Sequence, residues 1–64
     1  MATIETDNNI KHVRESYEQV LMLIADAVRL NISFIELNLV MFKFDVPDET
    51  FSINYNNIKE IRKD

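Results

Sequence analysis

Residues 7–30 read DNNIKHVRESYEQVLMLIADAVRL, and within them Ile10, Val13, Tyr17, Val20, Leu21, Ile24, Ala27 and Val28 recur at alternating steps of three and four. That is the period of an amphipathic helix, whose turn of 3.6 residues brings such positions onto one side. Written as a heptad, Ile10, Val13, Tyr17, Val20, Ile24 and Ala27 take the a and d sites, and Leu21 and Val28 widen the stripe. Thr6, Asp7 or Asn8 is the expected N-cap, and Asn31 is the expected residue past the C-terminus in place of a glycine. A helix of about 24 residues runs roughly 36 Å and overhangs any sheet that the rest of so short a chain could build. Its second half is apolar nearly all round, because Leu21, Met22, Leu23 and Ile24 are consecutive. Such a segment needs burial on more than one side.

Downstream the period changes to two. Ile35, Leu37 and Leu39 alternate with Glu36 and Asn38, and Phe42, Phe44 and Val46 alternate with Lys43 and Asp45, so residues 32–46 read as a long strand. The two series are out of phase by one residue, which implies a bulge near Val40 and Met41 or an apolar patch on each face. Val46, Pro47, Asp48 and Glu49 have the residue order of a type I turn. Residues 50–55 follow as a half-exposed strand in which Phe51, Ile53 and Tyr55 share a face, placed to lie across the turn from Phe42 and Phe44. Residues 56–64 form a tail, read as one helical turn or a frayed strand end because Ile58 and Ile61 are three apart, and residues 1–6 read as a flexible arm. The expected fold class is therefore α+β: one long N-terminal amphipathic helix and an antiparallel β-hairpin within a single small domain, residues 1–64, assembled as a dimer. An all-α bundle is the alternative.

Composition bounds the function. At 64 residues a lone core is marginal, and small chains usually add disulfides, a structural metal or association with another chain. With Cys 0 and His12 as the single histidine, the first is excluded and a structural zinc is disfavoured, which leaves association. Gly 0 removes the glycine-rich phosphate loops, so no nucleotide cofactor is expected. The formal net charge of −4 disfavours nucleic acid and anionic membrane surfaces as partners. No basic segment leads into an apolar run long enough for a signal or a span, so a cytoplasmic location without membrane attachment is expected.

Candidate sites are few. His12, Glu15 and Ser16 could share one side of a first helical turn, where a histidine beside a carboxylate acts as a base or metal ligand, but no positioned third group is evident. Asp45, Asp48 and Glu49 crowd the turn and form an acidic surface suited to a basic partner; a calcium loop would require a glycine and further oxygen ligands. Lys59, Arg62 and Lys63 make a small basic cluster interrupted by Glu60. Tyr17, Tyr55, Met22 and Met41 are read mainly as core residues. The interface, for self-association or a protein partner, is expected at Ile10, Val13, Tyr17 and Leu21 on the helix and Ile35, Leu37 and Leu39 on the strand.

These features favour a small acidic protein–protein interaction module without catalytic, cofactor or metal residues, which pairs with itself and with a further protein. The wealth of Asn and Ile is similar in composition to small proteins of AT-rich bacteria and their phages or plasmids. A regulator or inhibitor from a mobile element, acting on a host protein, is the concrete expectation. A structural assembly protein built on a helical oligomer is the alternative, followed by a nucleic-acid-binding regulator.

Overall fold

A computed structural model of the chain describes residues 1–40 and 49–63. Strands β1 (Ala2–Thr6) and β2 (Ile10–Val13) form a hairpin, helix α1 (Tyr17–Arg29) follows, and β3 (Phe34–Leu39) pairs with β4 (Glu49–Asn54). A 3-10 turn at Tyr55–Asn57 then leads into β5 (Ile58–Lys63). The five strands form one antiparallel sheet in the order β4-β3-β2-β1-β5. The described residues are thus mostly sheet, with one α-helix, which lies between β2 and β3. Neither a long helix followed by a hairpin nor an all-α bundle describes it.

The correction begins inside the stretch 7–30. Ile10 and Val13 share a face in a helix, but residues three apart lie on opposite faces of a strand. In β2, Val13 has 0% of its surface exposed and Ile10 has 57%. The helix starts later because Ser16 caps it: the Ser16 hydroxyl accepts the Gln19 backbone N–H at 3.1 Å, and the Gln19 side-chain carbonyl accepts the Ser16 N–H at 2.8 Å. This reciprocal box satisfies two donors that the first turn otherwise leaves unpaired. At the other end Asn31 has φ 62°, and the N–H groups of Asn31 and Ile32 reach the carbonyls of Val28 and Ala27 at 3.1 and 2.8 Å. Those bonds make a Schellman close with asparagine in the usual place of glycine. The resulting helix is about 20 Å long and has no overhang of the expected kind.

The ends of the chain are strands, not an arm and a tail. β1 lies between β2 and β5, with Ala2 and Ile4 buried on one face and Thr3 on the other. Its short polar residues fit because Thr3 finds a partner: its hydroxyl is 3.0 Å from His12 Nδ1 on β2. β5 pairs with β1 at Ile4↔Ile61 and Glu5↔Glu60, then slips so that Thr6 stands opposite Ile58. The bulge places Ile58 and Ile61 on one face despite their three-residue spacing.

In the β3–β4 pair, Leu37 stands opposite Phe51 and Ile35 opposite Ile53. The expected partners Phe42 and Phe44, Met41 of the bulge expected near Val40 and Met41, and the first three residues of the turn expected at Val46, Pro47, Asp48 and Glu49 lie outside the described residues, while Glu49 opens β4. Phe51 and Ile53 do alternate inward as expected. β4 and β5 occupy opposite edges of the sheet, yet only residues 55–57 separate them. Across a flat five-stranded sheet those edges stand roughly 19 Å apart, whereas the four Cα steps from Asn54 to Ile58 reach about 15 Å at most. The sheet must curl, and on the face that carries Val13 and Leu37 it gathers Ala2, Ile4, Val13, Ile35 and Leu37 with Val20 and Ala27 of α1 into one core.

The join between β2 and β3 is narrow, a single pair at Val13↔Leu39 flanked by Arg14 N–H to Asn38 carbonyl at 2.8 Å and Val40 N–H to His12 carbonyl at 2.9 Å. Glu15 reinforces it. Its two carboxylate oxygens accept the backbone N–H and the side-chain amide of Asn38, each at 2.9 Å, and Thr50 donates to the Asn38 side-chain carbonyl at 2.9 Å.

Candidate functional site

The helix covers the core with only one side. Val20 and Ala27, seven residues apart, are buried, and Leu23 and Ile24 pack beside them. Because Leu21, Met22, Leu23 and Ile24 are consecutive and successive residues turn by about 100°, two of the four must point away from that core. They are Leu21, 42% exposed, and Met22, 65% exposed. Ala25 and Val28 continue the same outer side, with Val28 at 58%. Four apolar residues within two turns form one face, in contrast to the isolated apolar residues usual on protein surfaces.

Charged residues rim this face at both ends. Glu18, in the first turn, is bridged to Lys63 of β5 at 3.0 Å, and the Lys63 ammonium lies 5.6 Å from the centre of the Tyr17 ring. The backbone N–H at the start of the helix, and then Lys63, hold the Glu18 carboxyl below the usual carboxylate range. Arg29, in the last turn, pairs with Asp26 at 3.1 Å. The acid is thus at the positive end of the helix and the base at the negative end.

The expected interface residues are divided by the fold. Val13, Ile35 and Leu37 are core residues, and Leu39 is half-buried above Val13. Tyr17 is half-buried at the start of α1, Ile10 is exposed on the far face of the sheet, and Leu21 belongs to the outer helix face. Met22, read from sequence as a gap-filler, is instead a principal surface residue. Of the acidic group, Glu49 is exposed at the start of β4, and Asp45 and Asp48 lie outside the described residues.

The His12, Glu15 and Ser16 grouping does not assemble, because His12 faces Thr3, Glu15 clamps Asn38 and Ser16 caps α1. Among the described residues no three His, Cys, Asp or Glu side chains converge as metal ligands. The basic cluster is spread along β5 and matched by carboxylates: Lys59 with Asp7 at 3.4 Å, and Arg62 with Glu60 at 2.9 Å and Glu5 at 3.3 Å. An open cavity of about 400 Å³ lies between the β1–β2 turn and β4, lined by Asp7, Asn8, Asn9, Lys11, Phe51 and Ser52. The Lys11 ammonium sits 4.8 Å from the centre of the Phe51 ring there. No described helix is long and apolar enough to cross a membrane. No protein-family model matches the chain, and neither a curated protein nor a solved structure matches it.

Proposed function

We infer that the chain is a small acidic protein–protein interaction module without enzymatic activity, and that its working surface is the outer face of α1. The observation that carries this reading is the exposure of Leu21, Met22 and Val28 around Ala25 on a helix whose opposite side already completes the core. Apolar area left in water on a rigid, capped helix is available for association at little cost in ordering. The structural employment of His12, Glu15 and Ser16 supports the non-enzymatic part of the reading.

Photo-crosslinking in living cells tests it. A photoreactive residue replacing Met22 should yield protein adducts, whereas the same residue replacing Glu36, exposed on β3, should yield none. Equal labelling at both positions, or none at position 22, removes the reading.

A further inference from the structure

The outer face of α1 contains a series with steps of four, three and four: Glu18, Met22, Ala25 and Arg29, with Leu21 and Val28 alongside. Turned end for end about its midpoint, the series maps onto itself. Glu18 falls opposite Arg29, and Met22 falls opposite Ala25.

We propose that two copies of this chain join through this face, their α1 helices packed antiparallel about a two-fold axis; the proposal rests on the reading of that face as an interaction surface. Each element of the series then has a complement. Met22 of one copy seats over Ala25 of the other, a large side chain over a small one, which permits interaxial approach at the near end of about 8–10 Å. Leu21 and Val28 flank these central layers and exclude water from them. Glu18 meets Arg29 of the other copy at both ends, and the two macrodipoles are opposed. A parallel arrangement would set Glu18 against Glu18 and Arg29 against Arg29, so the charges select the antiparallel one. The present partners do not prevent the exchange, because the Glu18–Lys63 and Arg29–Asp26 pairs are solvent-exposed and such pairs are weak. Association also answers the small core of a 64-residue chain.

One helix face per copy is less than a standard interface, so the dissociation constant should be on the order of tens of micromolar. Sedimentation equilibrium from about 1 μM to about 1 mM spans that value. The unmodified chain should show a monomer–dimer equilibrium. Glu18→Lys and Arg29→Glu should each weaken it roughly five- to thirty-fold, since each disrupts both symmetry-related ion pairs, and the double variant should return to within about three-fold of the original. Thermal melts of dilute samples establish that each variant is folded. A monomer up to the highest concentration, a double variant no tighter than the single ones, or a dimer indifferent to Met22→Lys overturns the proposal. If the chain is monomeric while crosslinks at position 22 hold other proteins, the second copy is wrong and the interaction surface stands.

Discussion

Replacing Ile10 and Val13 by threonine, one at a time, separates the observed fold from a continuous helix. On a helical stripe the two positions are equivalent, and threonine costs a similar amount at each. In β2 they face opposite ways, and only Val13 is sealed from water. Threonine is nearly the size of valine and keeps its strand preference, so Val13→Thr exchanges a buried methyl for a hydroxyl with little other change. Losing the methyl costs about 0.8 kcal/mol, and burying a hydroxyl among Ala2, Leu39 and the core costs about 1–3 kcal/mol. The expected total of about 2–4 kcal/mol is a large fraction of the roughly 3–10 kcal/mol available to a chain of this length. Ile10→Thr should stay within about 0.5 kcal/mol. Urea unfolding followed by circular dichroism, at one fixed protein concentration, reads the difference. With an m-value near 1 kcal/mol/M for so small a domain, the Val13→Thr midpoint should fall by about 2 M or more while that of Ile10→Thr stays in place. Equal losses at the two positions, or an unchanged midpoint for Val13→Thr, would refute the strand assignment and the core built on it.

Ser16→Ala removes the acceptor of the capping box and should cost about 1 kcal/mol in the same assay; no change would mean that the helix starts elsewhere. Asn31→Gly should leave stability within a few tenths of a kcal/mol or raise it, whereas Asn31→Val, which forces a β-branched residue to φ 62°, should lose about 1–2 kcal/mol. The Glu18 carboxyl, held low in the folded chain, stabilises it above the unfolded-state pKa, and that contribution disappears as the pH falls through the lower folded value. Carboxyl NMR titration should place Glu18 below an ordinary glutamate. Lys63→Ala should raise it only part of the way, since the backbone N–H still holds the carboxylate in that variant.

The signals that were legible in the sequence are those tied to one local geometry. Asn31 declared the helix end because few other side chains tolerate a left-handed backbone, and Phe51 and Ile53 declared β4 by strict alternation. The helix start was also written, as Ser16-Tyr17-Glu18-Gln19, but Ile10 and Val13 continue the helical period backwards through it and mask it. Two apolar residues cannot distinguish a period of 3.6 from a short strand with one face in and one out. β1 and β5 were concealed for different reasons. β1 is an interior strand with only Ile4 as a large apolar residue, because the buried hydroxyl of Thr3 is satisfied by a neighbouring strand that the sequence does not identify. β5 owes its three-residue spacing to a bulge that exists only once β1 is beside it. The surface character of Leu21 and Met22 was foreshadowed by the four consecutive apolar residues, since no helix can bury them all against one sheet.

The position of β1 bears on how the chain folds while it is being made. Ala2 pairs with Val13 on one side and with Lys63 on the other, so one of its ladders closes almost at once and the other joins the two most distant strands of the chain. During synthesis the first hairpin and α1 emerge with one margin of β1 unpaired, and that margin stays open until β5 has left the ribosome. The slow step of folding should therefore be the arrival of β5, a long-range closure. A nascent chain halted before residue 58 presents a bare strand edge to its neighbours, the condition from which aggregation between copies starts.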